Sequence, residues 1–451
     1  MRFSSFQEML RNYAETTPEA PALWVPGERG AESISFSVLE DAVERRSTEL
    51  KAGGKTCLAV FADGSGPCVI TIFAAVRAGL QVVLLDDSLP DDTAAALIRY
   101  TDADAIWSAD DERVSDLAPA LTDGVTNGVG RILFFTSGTT ERSKAVVLTE
   151  RSLCASAWNG AKKLPLQPSD RLLCLLPLGH VFGFVCGMLW GLSCGASVAL
   201  GRGPRHYMDD GAYYCPTAVS LVPALLGFFV THWLFNQELR LLLIGAGSCP
   251  QDLIQAAKVA GLRVAFGYGL TETSSGVAIS TGGDPYAMEI CPDDAVNIAP
   301  DGEILIHAPT CMMEGYYKRE ADTAAVLRDG WLHTGDLGRL DTEGRLYITG
   351  RKKDILVLPG GTKLFLPEYE GELAAALGNS ELAVGLCRGV PALILKDEPD
   401  REGEIRAAIR PLMDARPRGE QIGQIVFVDT PLPRTATGKL RRWELDRLLN
   451  S

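Results

Sequence analysis

Residues 132–144 form the stretch on which the fold assignment depends, Ile-Leu-Phe-Phe-Thr-Ser-Gly-Thr-Thr-Glu-Arg-Ser-Lys. The four apolar residues predict a buried strand, which leads directly into a hydroxyl-rich loop that ends at Lys144. Hydroxyls and backbone N–H groups in a tight loop suit a polyphosphate, and the lysine adds positive charge. The Walker consensus G-x-x-x-x-G-K-[ST] is absent. On this segment alone, a phosphate-binding loop and an ordinary polar loop after a strand fit equally well.

Short apolar runs alternate with amphipathic stretches on both sides of this loop, and that alternation is typical of a layered α/β domain. Because the apolar runs are nearly continuous, we expect a sheet that is covered on both faces. The predicted strands are 57–61, 81–85, 171–176, 239–244 and 263–266, and the predicted helices include 69–78 and 251–260.

The pattern of apolar and charged residues changes around residues 344–350, after which the predicted elements become shorter and more charged. Residues 396–404 are predicted to form an exposed loop. We therefore divide the chain into a large N-terminal α/β domain, residues 1–350, and a small α+β C-terminal domain, residues 351–451.

The composition of the 451 residues excludes some classes of function. A net charge of −14 argues against a nucleic-acid binder, because no basic face is available for phosphate contacts. The eleven cysteines are scattered, with no C-x-x-C pair, which indicates buried thiols in a reducing cytoplasm and argues against a structural zinc site. Any anionic substrate must therefore be attracted by a local group of positive charges.

Two segments bear on whether the chain enters a membrane. Residues 1–8 lack the apolar core of a signal peptide. Residues 181–200 carry no charge and are long enough to span a bilayer. The glycines of this stretch, and the turn predicted at 193–197, favour a buried helix followed by a buried strand. We predict a soluble protein with no transmembrane segment.

Two further segments place chemically useful side chains after apolar strands. Phe266–Thr273 contains glycines that let a ligand approach the backbone, with Tyr268 as a flat ring for a base and Glu272 as a hard ligand for Mg²⁺. In Trp331–Gly338, Asp336 lies in a predicted glycine-flanked turn and could accept the hydroxyls of a ribose. Taken singly, the first also fits an ordinary strand–turn–helix junction and the second a turn-capping aspartate.

Two basic segments flank the predicted small domain. The first, Thr349–Asp354, lies on the predicted boundary. The second, Pro433–Arg442, holds Lys439 next to a glycine, where the amine could act as a mobile positive group. A solvated basic tail explains the second segment equally well.

Together and in this order, the five segments resemble the adenylate-forming superfamily of acyl-CoA synthetases, aryl-CoA ligases, nonribosomal-peptide adenylation domains and luciferases. The resemblance extends from the stretch A-G-L-Q-V-V-L-L-D-D, which begins at Ala78, to Arg442. It implies the acyl-CoA synthetase fold, in which a large multi-subdomain α/β domain binds ATP and the acid. A small mobile α+β domain carries the catalytic lysine.

The resemblance also implies roles for individual residues. The β- and γ-phosphates would be held by Thr136, Ser137, Gly138, Thr139, Thr140 and Lys144. Adenine would lie between Tyr268 and the segment Gly245, Ala246 and Gly247, and the ribose would be held by Asp336 and Arg351. The catalytic residues would be Thr271 at the α-phosphate, Glu272 at Mg²⁺, His180 at the gate of the acyl pocket and Lys439 at the reacting carboxylate. Lys353 would be the hinge between the domains.

This chain departs from the superfamily pattern in its phosphate loop. Related loops commonly end T-G-x-P-K-G, whereas residues 140–145 read Thr-Glu-Arg-Ser-Lys-Ala. We expect a stiffer or reshaped loop, in which Glu141 places a negative charge beside the phosphates and Arg142 offsets it. The chain is also short between Glu272 and Glu303, where the wall of the acid pocket is usually longer.

The sequence therefore predicts an AMP-forming ligase that activates a fatty or aryl carboxylic acid with MgATP and transfers the acyl group to coenzyme A. Low charge in residues 181–200 and 219–235 predicts an apolar acid pocket. Two alternatives stay open. One is a free-standing adenylation enzyme that loads the phosphopantetheine thiol of an acyl or peptidyl carrier protein. The other is a non-catalytic nucleotide-binding protein with the same fold.

Overall fold

A computed structural model describes residues 1–109, 114–117, 130–136, 144–247, 249–281, 283–359, 362–396 and 399–434, together with residues 440, 442, 444, 445 and 449. Five residues with a predicted role lie outside this described part: Ser137, Gly138, Thr139, Thr140 and Lys439. Their roles stay predictions from the sequence.

The described α-helices are α1 Phe6–Thr16, α2 Phe36–Ala52, α3 Gly66–Arg77, α4 Asp91–Tyr100, α5 Glu150–Lys163, α6 Val181–Phe184, α7 Trp190–Ser193, α8 Asp210–Tyr214, α9 Pro223–His232, α10 Gln251–Val259, α11 Glu320–Val326, α12 Leu366–Leu377 and α13 Glu402–Asp414. Side-chain hydroxyls begin several of them. Ser5, Ser35, Ser65 and Thr149 each accept a hydrogen bond from a backbone N–H of the first turn, which otherwise lacks a partner.

The described strands are β1 Pro21–Gly27, β2 Gly30–Ser35, β3 Cys57–Phe61, β4 Gln81–Leu85, β5 Ala105–Trp107, β6 Val114–Asp116, β7 Arg131–Phe135, β8 Ala145–Thr149, β9 Arg171–Cys174, β10 Ser197–Leu200, β11 Ala218–Leu221, β12 Leu241–Ile244, β13 Arg263–Leu270, β14 Ser275–Ile279, β15 Glu289–Ile290, β16 Ala295–Ile298, β17 Glu303–His307, β18 Gly315–Tyr316, β19 Leu327–Arg328, β20 Trp331–Leu340, β21 Leu346–Arg351, β22 Ile355–Val357, β23 Lys363–Phe365, β24 Leu382–Cys387, β25 Val390–Lys396 and β26 Gln424–Val428.

Most of these strands belong to two large mixed sheets, whose central strands are parallel. One has the order β15-β14-β13-β12-β11-β9-β10-β1-β2, and the other has the order β18-β8-β7-β4-β3-β5-β6. Strands β3 and β4 pair in parallel, and their residues are almost all buried, as expected for a sheet covered on both faces. A smaller antiparallel sheet contains β16, β17, β20, β19 and β21.

The strands predicted at 57–61 and 81–85 begin and end where they were predicted. The helix predicted at 69–78 begins earlier, at Gly66, because Ser65 caps it. The strand predicted at 263–266 continues to Leu270. Residues 181–200 form α6, a π-helical turn at Val185–Leu189, α7 and β10, which confirms the buried helix and strand. Within the described residues, no helix is both long enough and apolar enough to cross a bilayer.

Two predictions of local structure were wrong. Residues 396–404 are not all loop, because α13 begins at Glu402. Asp336 lies within strand β20 and not in a turn, because β20 is paired with β17 on one side and with β21 on the other.

Beyond residue 355 the buried apolar side chains form clusters of their own. One cluster gathers residues of α12, α13, β24, β25 and β26, and a second involves β24, β25, Leu445 and Leu449. Neither cluster includes a residue before Leu356. The boundary near residue 350 stays a prediction, and these separate cores are compatible with it.

Asp170 aligns the first large sheet at the edge where its parallel strands begin. Its side chain accepts hydrogen bonds from the Gln167 N–H at 2.6 Å and the Thr217 hydroxyl at 2.8 Å, and it pairs with Arg240. Burial opposes the charge of this carboxylate, but the three donors outweigh it and lower the pKa of Asp170. Its bonds hold β9, β11 and β12 in register, so their opposite ends lie side by side.

We expect Asp170→Asn to lower the free energy of unfolding by about 2 kcal/mol at neutral pH, because the buried donors lose a charged acceptor. The half-exposed Arg240 adds little to this value, since water screens its charge. A lowered pKa stabilises the fold above the ordinary carboxyl range, so the difference from the parent should shrink as the pH falls through that range. Denaturant titration at several pH values measures it, with the exposed Asp414→Asn as the control.

Candidate active site

The predicted site residues follow the carboxyl ends of strands in the two large sheets. In the first sheet, Gly245 follows β12 and Tyr268 lies near the end of β13. In the second, the predicted residue Thr136 follows β7, and Asp86, which was not predicted, follows β4. Parallel strands end at the same edge of a sheet, and ligands of α/β proteins bind there.

The turn before α6 contacts both sheets at this edge. A Cβ atom on Gly179 would lie 3.2 Å from the backbone nitrogen of Asp86, and one on Gly245 would lie 2.7 Å from Cζ of Phe182. The two glycines therefore allow the turn that carries His180 to lie against β4 on one side and the end of β12 on the other. Ala246, the next residue after Gly245, adopts a left-handed φ of 63°.

Asp336 is the most buried carboxylate among the predicted site residues, with 3% of its surface exposed. Its Oδ2 accepts a hydrogen bond from the Tyr268 hydroxyl at 2.9 Å, and its Oδ1 lies 2.8 Å from Nε of Arg351. Asp336 and Arg351 are directly opposite each other on β20 and β21. Three residues that were predicted to bind one nucleoside are thus brought together from two different sheets.

The environment of Tyr268 keeps its hydroxyl protonated. Burial is the main cause that raises its pKa, and the neighbouring negative charge of Asp336 adds to the effect. The phenol therefore donates to Asp336 throughout the neutral pH range, which fixes the ring next to the end of β12.

Glu272 and Lys144 meet at a third residue, Tyr316. The Tyr316 hydroxyl donates to Oε1 of Glu272 at 2.7 Å, and Nζ of Lys144 lies 4.4 Å from the centre of the Tyr316 ring. Burial, followed by the charge of Glu272, raises the pKa of Tyr316. Tyr316 reaches this position because β18 pairs with β8, directly after Lys144.

The two ends of the predicted phosphate loop are joined by hydrogen bonds. The Thr136 N–H donates to the Lys144 carbonyl at 3.0 Å, and the Lys144 N–H donates to the Thr136 hydroxyl at 3.3 Å. This closure holds Thr136 next to Lys144, whose amine lies over the Tyr316 ring. Residues 137–143, which include Glu141 and Arg142, lie outside the described residues.

Thr271 and Glu272 lie in a 3₁₀ turn, Thr271–Thr273, between β13 and β14. This connection is tightly packed. A Cβ atom on Gly269 would lie 1.6 Å from the carbonyl oxygen of Ser275, and Ser275 itself has a φ of 99°. Glycine is required at 269 so that the two strands can approach, and this approach sets the direction of the turn that carries Glu272.

Glu272 satisfies the chemical requirements of a magnesium ligand. Among the described residues, Tyr316 is the one whose side chain hydrogen-bonds to the Glu272 carboxylate, and that bond uses Oε1. Oε2 has the hardness that Mg²⁺ prefers, and Mg²⁺ is typically held by one or two carboxylates together with substrate phosphates. The donor set therefore fits a magnesium ion that is shared with a nucleotide.

His180 pairs with a residue that the sequence analysis did not single out. Its Nε2 lies 3.4 Å from Oδ2 of Asp86, while Oδ1 of Asp86 accepts bonds from the backbone and the hydroxyl of Ser88. The bond from His180 is the largest of the causes that lower the pKa of Asp86. His180 contacts Asp86 and not the Tyr268 or Glu272 groups, so its predicted role at an acyl gate stays a prediction.

A small apolar cavity of about 20 Å³ lies behind this edge, enough for about one water molecule. Its lining includes Val185 and Cys186 of the π-helical turn, Leu243 of β12 and Gly276 of β14. The residues around it match the low charge predicted for an acid pocket.

Lys353 is exposed in the 3₁₀ turn Lys352–Asp354, between β21 and β22. On its C-terminal side, Arg442 lies 3.2 Å from the Asp354 carboxylate and makes a bidentate pair with Glu370 of α12 at 2.9 Å. The hinge assignment stays a prediction, but the turn joins the two groups of buried clusters.

Sequence reasoning missed Tyr316 and Asp86 as parts of the site. Asp86 left a signal, because it is a charged residue directly after the buried strand β4. Tyr316 left none, since it lies in a two-residue strand whose pairing with β8 depends on the fold.

Comparison with known proteins identifies the group to which this chain belongs. Residues 131–317 match the AMP-binding enzyme family. The chain is 28% identical to indoleacetate–CoA ligase of Aromatoleum aromaticum, with 98% of each chain covered. It is 30% identical to 2-succinylbenzoate–CoA ligase of Bacillus velezensis, with 82% of this chain and 78% of the relative covered.

A solved structure confirms the fold class. O-succinylbenzoate coenzyme A synthetase from Bacillus subtilis, in complex with AMP, superposes with a TM-score of 0.81 at 24% identity, and 97% of each chain is covered. The family match, the relatives and the fold all indicate the same family. The chain belongs to the AMP-binding enzyme family, within the adenylate-forming superfamily, and is an AMP-forming acid–CoA ligase that uses ATP, Mg²⁺ and coenzyme A.

Proposed function

We propose that this enzyme activates an aryl carboxylic acid as its acyl-adenylate and transfers the acyl group to the thiol of coenzyme A. The observation that carries the proposal is the buried Asp336 carboxylate, which is held by Tyr268 and Arg351. Glu272 lies in the turn that follows β13, the strand that contains Tyr268. These groups supply a ribose acceptor, a base-stacking ring and a metal ligand at one edge of the sheets.

In the first step, an oxygen of the substrate carboxylate attacks the α-phosphorus of ATP, and the bond to pyrophosphate breaks. Two anions must meet, so the enzyme has to position them and place positive charge where negative charge develops. Lys144, at the mouth of the loop, would face the phosphates, and Lys439 would face the carboxylate and the α-phosphate. Mg²⁺, held by Glu272, would neutralise phosphate charge.

In the second step, the sulfur of the thiol attacks the carbonyl carbon of the adenylate, a C–S bond forms, and AMP leaves with the electron pair of the C–O bond. The thiol proton is released. Lys439 would occupy the path of the thiol in the first step. We therefore propose that the residues beyond Lys353 rotate between the two steps.

The acid is proposed to be aryl because of the acids that the relatives act on. The relatives described above act on indoleacetate and 2-succinylbenzoate, both of which carry an aromatic ring. The fatty-acid alternative is therefore less well supported.

Coenzyme A is the proposed acceptor because the relatives are CoA ligases, and they give no support to a carrier-protein partner. The proposed location is the cytoplasm. All eleven cysteines are free and eight are buried, a state that a reducing compartment maintains.

Purified enzyme with MgATP should release pyrophosphate fastest with aryl acids in a panel that also contains fatty and amino acids. Addition of coenzyme A should then yield the aryl thioester and AMP. The comparison is made by a pyrophosphate-release assay and by mass spectrometry of the thioester. Faster release with long-chain fatty acids would contradict the aryl assignment, and thioester formation on a carrier protein alone would contradict the acceptor.

Lys439→Ala should reduce adenylate formation by about 10²- to 10³-fold, because a preorganised positive charge contributes about 3 to 4 kcal/mol to such a step. Thioester formation from supplied acyl-adenylate should change little. Single-turnover assays of the two half-reactions measure the difference. An equal loss in both would show that Lys439 does not have this role, and Arg418→Ala, in an exposed turn, is the control.

Glu272→Gln should raise the Mg²⁺ concentration for half-maximal activity by about tenfold, because a charged metal ligand becomes neutral. The amide can still accept the hydrogen bond from Tyr316, so the turn should keep its shape. The measurement is a Mg²⁺ titration at saturating ATP. The control is Glu314→Gln, which neutralises a more exposed carboxylate nearby, and identical titration curves for the two variants would argue against the metal role.

A further inference from the structure

Glu303, at the start of β17, binds three groups with one buried carboxylate. Oε1 accepts the Gly335 N–H at 2.8 Å, and Oε2 lies 2.7 Å from Nζ of Lys352 and 3.2 Å from Nδ1 of His333. Only 9% of this side chain is exposed. A buried charge requires such partners, so these bonds are integral to the local fold.

Two of the three partners, Gly335 and Lys352, lie next to a residue that the proposed function uses. Gly335 directly precedes Asp336, and its φ of 70° turns its N–H toward Glu303. Lys352 directly precedes Lys353. The same carboxylate therefore fixes the backbone before the ribose-binding residue and the side chain before the proposed hinge.

The two neighbours of Lys353 bind residues in different parts of the chain. Lys352 is bound to Glu303 and, at 2.6 Å, to Asp301, both in the N-terminal part. Asp354 is bound to Arg442, which also binds Glu370 of α12, in the C-terminal part. Lys353 is thus the residue between two anchored neighbours.

We infer that Glu303 is a positioning residue that, through Lys352, ends the rigid part of the N-terminal domain at residue 352 and so defines where rotation begins. This inference rests on the proposed two-step reaction. The C-terminal part can rotate about a constant axis only if residue 352, on the N-terminal side of Lys353, stays fixed. Without the Lys352 anchor, β21 and the turn could move together, and the rotated domain would reach its position less accurately.

The two interactions of Glu303, with the Gly335 N–H and with the Lys352 amine, should affect different kinetic constants. The hydrogen bond with Gly335 orients Asp336 and should influence the KM for ATP. The ion pair with Lys352 orients the turn at Lys353 and should influence kcat. Lys352→Met removes the charge, retains a side chain of similar length and leaves the Gly335 bond intact.

The test measures steady-state kinetics and hydrogen exchange of residues 351–357 in the ligand-free enzyme. For Lys352→Met we expect kcat to fall about tenfold, since small errors in placement cost rate, while the KM for ATP stays within about twofold. Exchange in 351–357 should rise. Glu303→Ala should lower kcat and also raise the KM for ATP. Glu303→Gln combined with Lys352→Met should be no worse than Lys352→Met alone, because Lys352→Met already removes the ion pair between these two residues.

The matched control is Arg345→Met, which removes an ion pair with Asp341 at the other end of the β20–β21 hairpin. If Lys352→Met behaves like this control in both kcat and exchange, or if it raises the KM for ATP as much as it lowers kcat, the inference is wrong. Hydrogen exchange needs no turnover. Absence of AMP formation by the parent enzyme would therefore overturn the proposed function, while unchanged exchange in Lys352→Met would overturn the anchoring role. Because Lys352 is partly exposed, its variant tests the inference even if the Glu303 variants fail to fold.

Discussion

The burial of Asp336 between Tyr268 and Arg351 is the constraint around which the site is organised. A carboxylate with 3% of its surface exposed is stable only when donors surround it. The donors come from β13 in a large mixed sheet and from β21 in the small antiparallel sheet. The predicted nucleoside site therefore forms only when these two sheets are joined, and the interactions of this carboxylate help to join them.

The remaining groups are arranged by polar contacts at the edge of the sheets, most of them partly exposed. Tyr316 connects Glu272 to Lys144, and Asp86 holds His180 in place. At the opposite edge, Asp170 keeps β9, β11 and β12 aligned. The sheets supply rigidity, and the connections after their strands supply the chemistry, as expected for an α/β enzyme.

The sequence predicted the buried strands well because their apolar runs need no tertiary information. Strands β3 and β4 have the predicted bounds, and the uncharged stretch at 181–200 is the helix and strand that its glycines indicated. Local patterns failed where pairing decides the conformation. Asp336 was predicted in a turn because glycines flank it, yet pairing with Arg351 on β21 draws it into a strand.

For this protein, the sequence by itself determined the superfamily and the order of the chemical segments, because both are contained in short contiguous motifs, and it predicted the residues of a nucleotide site. Tertiary structure alone decided the partners of those residues. Tyr316 lies 44 positions from Glu272, and Lys352 lies 49 positions from Glu303. Such pairs are set by strand register and by the burial of charge, neither of which a local pattern records.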